Sequence, residues 1–335
     1  MPKKYIRIIK NIYTNSTAQI KLESLGEVFP IARGVRQGDP LSPKLFSAVL
    51  ESIFRDLEWD NVGKCINGKQ LSHLRFADDL VLLADNANTL QHMLQQLIEA
   101  SRIVGLTMNK EKTKIMTNME EIAIKIDNKN VEYVTNYIYL GQIVAFKNQT
   151  DIEIDRRVKC AWKRYWSLKQ IFKSCSFPMP SKKKVFELCI LPCLTYGCQT
   201  WALSRKNLIK LRTCQRGMER SMLGVTLRDH NRAENIRSIT KVEDIIRKVK
   251  QLKWRWTGHM TRDSTIKWTK LITEWQPRDG KRRRGRQVKR WMDDIKIIGG
   301  NTWSRKANNR EDWKKLEEAY VSNDTLFIKP GVDST

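Results

Sequence analysis

Apolar residues recur at helical spacing over residues 4–13, where Tyr5, Ile8, Ile9 and Ile12 share a face. The period then changes: Ala18, Ile20 and Leu22 alternate, Leu25-Gly26-Glu27 reads as a turn, and Val28-Phe29-Pro30-Ile31 returns as a second strand. Leu45, Val49, Ile53 and Leu57 place a helix over 41–57. Two short apolar segments, Leu74-Arg75-Phe76 and Leu80-Val81-Leu82-Leu83, flank Ala77-Asp78-Asp79. Leu90, Met93, Leu94, Leu97, Ile98 and Val104 predict an amphipathic helix over 89–104, stopped at Gly105. Beyond Asp151 the pattern becomes mostly helical, with helices near 151–173, 181–196, 204–223 and 241–256 and Pro178, Pro180 and Pro192 as breakers. Residues 277–290 read as an exposed loop and 322–335 as a fraying tail.

Composition permits a folded core: 41% of the 335 residues are hydrophobic, and eleven are Trp. The length suggests about two domains. No apolar run nears the ~18 residues of a membrane span, and the N-terminus has no continuous apolar stretch of a secretory signal. An intracellular location, nuclear or cytoplasmic, is therefore expected. Seven cysteines, an odd number, fit that reading. Cys189, Cys193 and Cys198 lie in an apolar stretch whose spacing matches no tight zinc pattern, and they read as small hydrophobes.

Charge changes the picture more. The formal net charge is +26, of which +3 falls in residues 1–150 and +23 in the remainder. Its peak is Arg278–Arg290, with eight basic residues and one acid. Such a concentration repels itself unless a polyanion is near. Lys281, Arg282, Arg283, Arg284, Arg286, Lys289 and Arg290 are the candidate nucleic-acid contacts. Trp254, Trp256, Trp268, Trp275, Trp291, Trp303 and Trp313 interleave with the charge and serve either as core or as stacking platforms for bases. Asp293-Asp294 reads as surface charge.

Two segments carry chemistry. In Phe76-Ala77-Asp78-Asp79-Leu80, adjacent carboxylates at a tight turn can share an open site. Hard cations there keep waters and substrate phosphates as further ligands, and two such ions align the groups of a phosphoryl transfer. The second is Arg33-Gly34-Val35-Arg36-Gln37-Gly38-Asp39-Pro40-Leu41-Ser42-Pro43, where glycines admit close backbone approach and Gln37 offers an amide.

In this order and spacing, the two motifs resemble those of the reverse transcriptases of non-LTR retrotransposons, the LINE-like class. Gly105-Leu106-Thr107-Met108-Asn109 through Lys112-Thr113 is similar to the next palm motif, and Tyr139-Leu140-Gly141 to the primer-grip hairpin. Leu191-Pro192-Cys193-Leu194-Thr195-Tyr196-Gly197 with Trp201, and Gly258-His259 with the basic stretch, are similar to the thumb and tail of the endonuclease–reverse-transcriptase type. The resemblance implies an α+β fold: a partial right-hand polymerase palm over 1–146, a helical thumb or connection over 151–225, and a basic, Trp-rich nucleic-acid-binding region over 226–335.

It also implies roles. Asp78 and Asp79 would be catalytic and hold Mg²⁺ or Mn²⁺. Arg33, Gln37 and Gly38 would contact template and nucleotide. Tyr139 and Gly141 would lie at the primer, and Lys112 would act either as an acid or as a phosphate contact. Asn109 would shape its turn. The implied partners are an RNA template, a DNA primer and deoxynucleoside triphosphates, with no membrane. A third carboxylate is missing: before Arg33 the acids are Glu23 and Glu27, both in the short hairpin. The expectation is a C-terminal portion of an RNA-directed DNA polymerase, mid-palm through tail, that does not polymerise alone. The alternative is a non-catalytic RNA- or DNA-binding protein derived from such an element.

Overall fold

In the computed structural model, which describes residues 2–14, 16–265, 268–275 and 289–323, the chain begins with helix α1 (Lys3–Tyr13). The antiparallel ribbon β1 (Thr17–Lys21) and β2 (Leu25–Pro30) follows, then helix α2 (Ser42–Asp56). Next come β3 (Lys64–Ile66), β4 (Lys69–Leu71), β5 (His73–Phe76), β6 (Asp79–Leu82) and helix α3 (Ala87–Ile103). Six short strands complete the β content: β7 (Lys114–Ile115), β8 (Lys125–Ile126), β9 (Lys129–Asn130), β10 (Glu132–Tyr133), β11 (Asn136–Tyr139) and β12 (Gln142–Ala145). Among the described residues every sheet is a two-stranded ribbon.

The chain divides into two compact units: residues 1–64, 70–113 and 122–131, and residues 65–69, 114–121 and 132–335. In the first, Asn86 starts α3 by accepting a hydrogen bond from the Thr89 N–H (2.8 Å), and the helix ends before Gly105 at φ 79°. Met93 and Leu97 on its inner face join Leu50, Ile53, Phe54 and Trp59 in a small core, with Leu80 and Leu82 packed against it. The Trp59 indole N–H donates to Gln96 Oε1 (2.8 Å), so the ring is buried with its polar atom satisfied.

Two expectations shift here. The first ribbon turns at Leu22–Ser24, and Leu25-Gly26-Glu27 is strand rather than turn. On α2 the buried stripe runs through Leu50, Ile53 and Phe54 while Val49 is exposed, because Phe46 and Phe54 offer more apolar surface than the 45–49 pairing does. Most apolar residues of α1 and the first ribbon, among them Tyr5, Ile8, Ile12, Ile20 and Val28, are exposed.

The second unit is helical after β12: α4 (Gln149–Ser167), α5 (Lys169–Phe172), α6 (Met179–Val185), a π-helical turn over Phe186–Ile190, α7 (Leu191–Thr195) and α8 (Arg205–Leu223). Then follow α9 (Ala233–Thr240), α10 (Ile245–Arg262), α11 (Trp268–Glu274), α12 (Asp293–Gly299), α13 (Trp303–Asn308) and α14 (Arg310–Ser322). Helix α10 begins four residues later than the spacing suggests, because the Asp244 carboxylate accepts from the N–H groups of Ile246 and Arg247 and caps it there. One core gathers Ile154, Tyr165, Phe172, Phe186, Leu194, Leu208, Leu211 and Met218. Cys198 and Cys214 pack into it, and burial pushes each thiol up to about 12, the behaviour of an inert small hydrophobe.

A second core forms around Trp254 and Trp313, whose rings stack 3.8 Å apart within 2° of parallel. Each indole N–H donates to the other residue's backbone carbonyl at 2.9 Å. Trp254, Trp303 and Trp313 are therefore core rather than platforms for bases. Asp294 corrects the surface-charge reading: it is 3% exposed and accepts two hydrogen bonds, 2.9 and 3.0 Å, from the buried Lys253 ammonium. Asp293, the first residue of α12, accepts from the Arg290 N–H just before the helix (2.6 Å).

Candidate functional site

Strands β5 and β6 pair Phe76 with Asp79, leaving Ala77-Asp78 as a two-residue turn. Ala77 sits at φ 52°, a left-handed conformation that costs a residue with a Cβ about 1–2 kcal/mol. A positive φ at the first turn position matches the twist of the flanking strands. The turn holds Asp78 and Asp79 side by side, both exposed. Glycine at position 77 relieves the strain but restores backbone freedom to the unfolded chain. Ala77→Gly should therefore leave stability unchanged or raise it by up to about 1 kcal/mol. Ala77→Val should lower it. Urea denaturation of the two variants checks both signs.

Below the turn, the ribbon is fastened to α2. Arg75 donates to Glu51 Oε2 (2.9 Å) and lies 4.5 Å over the Phe54 ring. Arg75, aided by Arg55, holds the Glu51 carboxyl below its ordinary value. His73 stacks on Phe54 (4.5 Å), and burial, reinforced by the Arg75 charge, pulls its imidazole down. The side of α2 facing the ribbon thus fixes where the two aspartates stand.

The segment entering α2 forms a cleft of about 390 Å³ lined by Tyr13, Ser16, Ile31–Ala32 and Arg33–Gln37. Gly34 (φ 86°) and Gly38 (φ 88°) take turns closed to other residues, with open space where a side chain would stand. Arg36 closes one wall by donating to Ser16 Oγ (2.9 Å). The structure thus gathers Arg33 and Gln37 on one cleft, with Gly38 following directly. Lys112 is exposed in a turn shaped by Asn109, whose Oδ1 accepts from the Lys112 N–H (3.0 Å) and whose carbonyl accepts from Thr113.

In the second unit, Tyr139 and Gly141 belong to the β11–β12 hairpin, which turns at Leu140 (φ 47°) and Gly141 (φ 73°). Its two turn carbonyls are both taken. The Tyr196 hydroxyl donates to Leu140 O (2.9 Å), and Arg156 and Arg157 donate to Gly141 O. Glu153, 1% exposed, accepts from both guanidinium groups and from the Ile143 N–H (3.0 Å). Arg157 also lies 4.5 Å over the Tyr196 ring. Gln142 packs where a Cβ on Gly197 would stand, and its Oε1 accepts from Thr200. Two segments 56 residues apart, Tyr139–Gly141 and Tyr196-Gly197, thereby form one structure. Glu153, Arg156 and Arg157 were not among the expected site residues, although Glu-x-x-Arg-Arg directly after a hairpin places three charges on one helix face.

Of the expected basic contacts, Lys281, Arg282, Arg283, Arg284 and Arg286 lie outside the described residues. Arg290 is exposed. Lys289 is partly buried: its side chain is 26% exposed, its ammonium stands 4.0 Å from Asp294, and burial lowers its pKa. The attraction of Asp294 turns it inward. Among the described residues, no group of three or more His, Cys, Asp or Glu side chains could hold a metal ion, so Asp78 and Asp79 have no third carboxylate beside them.

A family model described as reverse transcriptase (RNA-dependent DNA polymerase) matches residues 1–144. An uncharacterized transposon-derived protein of Caenorhabditis elegans is 34% identical over 280 residues, covering 77% of this chain and 99% of that protein. Retrovirus-related Pol polyproteins from R2-type retrotransposable elements are also similar. The Drosophila melanogaster polyprotein is 36% identical over 112 residues, covering 33% of this chain, and the Nasonia vitripennis one 38% identical over 109 residues, covering 32%. The chain spans nearly all of the nematode protein but only 10% of each polyprotein.

Proposed function

Because this chain belongs to the reverse transcriptases of non-LTR retrotransposons, we propose that it grips an RNA template and a DNA primer without itself completing nucleotidyl transfer. The family uses divalent metals and acts on template, primer and deoxynucleoside triphosphates. The residues described here do not fit a resident Mg²⁺ or Mn²⁺ pair, and that observation carries the reading. A hard cation is held through one or two carboxylates, with waters and substrate phosphates completing about six oxygen ligands, so a pair of ions needs more than the two exposed carboxylates on this turn, and no third joins them among the described residues.

What the chain supplies is binding geometry. Arg33, Gln37 and Gly38 would present a guanidinium, an amide and bare backbone to template and nucleotide at the cleft before α2. Tyr139 and Gly141 would present the clamped hairpin to the primer. Lys112 would contact a phosphate. No helix among the described residues is long and apolar enough to cross a membrane, and the excess of +26 suits a polyanionic partner.

Two measurements test the reading. With an RNA template, an annealed DNA primer, deoxynucleoside triphosphates and Mg²⁺ or Mn²⁺, the chain should give no extension product. Extension that disappears in Asp78→Ala would overturn it. Binding to the same primer–template should weaken linearly in log[salt], at about 0.7–0.9 per phosphate neutralised. A slope near zero would overturn the nucleic-acid partner itself.

A further inference from the structure

We propose that the outer face of α4 around Trp166 is a stacking platform for single-stranded nucleic acid, a site that rests on the nucleic-acid reading above and gives it a place in the fold. The first observation is charge. From Arg156 to Phe186 the chain carries ten basic residues (Arg156, Arg157, Lys159, Lys163, Arg164, Lys169, Lys173 and Lys182–Lys184) and no acid. Arg156 and Arg157 are used by the hairpin clamp. Lys159, Lys163, Arg164, Lys169 and Lys173 are all exposed, and none forms an ion pair with a described carboxylate. Five cations without counter-charges over fifteen residues attract phosphates rather than neutral partners.

The second observation is aromatic. Trp166 is 46% exposed, yet its ring is held: it lies nearly parallel to Trp162, at 5.9 Å and 22°, and edge-on to the buried Tyr165 at 5.4 Å and 86°. Tyr165 in turn stacks on Phe172 at 4.6 Å and 6°. Trp162 is seated by a close approach to Gly217, where a Cβ would come 3.2 Å from its ring. A large ring left in water but fixed by a ladder of rings beneath it offers a rigid flat surface at little entropic cost.

The third observation joins the two. The Lys173 ammonium stands 5.4 Å over the Trp166 ring, and Lys159, Lys163 and Trp166 recur at spacings of four and three on α4, one face of the helix. A nucleotide has the matching parts: a base for the ring and a phosphate for the ammonium groups. Bases in a duplex are already stacked, so only an unpaired strand can offer its faces, and every base has one. The platform therefore takes RNA or DNA, without reading sequence.

Fluorescence anisotropy of labelled U20, dT20 and a 20-base-pair duplex with the full chain separates the possibilities. Trp166→Leu keeps apolar bulk but removes the π face, and should weaken binding to U20, dT20 or both about tenfold while changing duplex binding less than twofold. Trp166→Phe should restore most of the loss. Lys163→Gln with Lys173→Gln should reduce the single-strand salt slope by about 1.4, at about 0.7 per phosphate contact. Independently of any variant, 5-iodouridine in the U20 strand should crosslink on irradiation to the peptide containing Trp166. Unchanged U20 and dT20 affinity in Trp166→Leu, an equal loss on the duplex, or crosslinks mapping only elsewhere would overturn the platform while leaving nucleic-acid binding intact. Failure of the parent chain to bind any of the three strands would instead overturn the reading on which it rests.

Discussion

Glu153→Leu should release the β11–β12 hairpin and destabilise the helical unit by about 3–5 kcal/mol, the cost of removing one partner from a buried ion pair. The loss has three parts. The Arg157 guanidinium, with its side chain 10% exposed, would keep its charge without the carboxylate that balances it. The Ile143 N–H, which donates to Glu153 at 3.0 Å, would be left unpaired inside the protein. The two guanidinium groups that donate to Gly141 O would lose the anion that orients them. Glu153→Gln keeps an acceptor for Ile143 and should cost less. Hydrogen exchange at the amides of residues 137–144 reads the hairpin directly. In Glu153→Leu those amides should lose protection well before the buried face of α8 does. Protection equal to the parent would mean that the Tyr196 and Gln142 contacts suffice without the carboxylate. Because the hairpin carries the proposed primer contacts Tyr139 and Gly141, affinity for a primer–template should fall with its protection.

Whether a feature could be read in the sequence depended on how far its cause lies along the chain. The Asp78-Asp79 turn is local: two short apolar segments flank it, although the second strand begins one residue before the apolar run, at Asp79, and leaves two turn residues where the pattern shows three. Helices α3 and α8 are equally local, each begun by its own capping side chain, Asn86 or Ser204. The π-helical turn before Pro192 is a local deviation that the spacing of apolar residues does not register. The hairpin clamp was half legible. Tyr139–Gly141 and Tyr196-Gly197 each stand out as motifs, but the carboxylate and two guanidinium groups that join them look like solvated helix charge until the fold brings them under the turn. Asp294 departs from its surface reading for the same reason in its strongest form. A local reading sees acids and bases beside one another on a basic stretch, whereas the partner that buries Asp294 is Lys253, 41 residues upstream.

Lys253→Met should be the most damaging single change in the C-terminal core, again by about 3–5 kcal/mol, since it strands a carboxylate that is 3% exposed. Lys253 does more than balance Asp294. Its ammonium also donates to the carbonyls of Trp201 (3.1 Å) and Trp291 (2.7 Å) and stands 4.9 Å from the Trp291 ring centroid. Burial drives its pKa down while Asp294, with a smaller pull from Asp293, raises it again. The double variant Lys253→Met, Asp294→Leu removes the stranded charge and should recover part of the loss. It cannot recover all of it, because the two carbonyls lose their donor at about 1–3 kcal/mol for each buried group left unpaired. The interaction energy from the full cycle, measured by urea denaturation, should therefore be favourable and fall within the range of about 0.5–3 kcal/mol of residues that share one salt-bridge network. An additive cycle would mean that Asp294 is held by other partners when Lys253 is gone, and Lys289, whose ammonium stands 4.0 Å away, and Tyr320, whose side chain already hydrogen-bonds Asp294, are the groups placed to do so. Lys289→Gln in the Lys253→Met background would then remove its share of the rescue. A clear further loss of stability there would assign Lys289 to this core rather than to the nucleic acid.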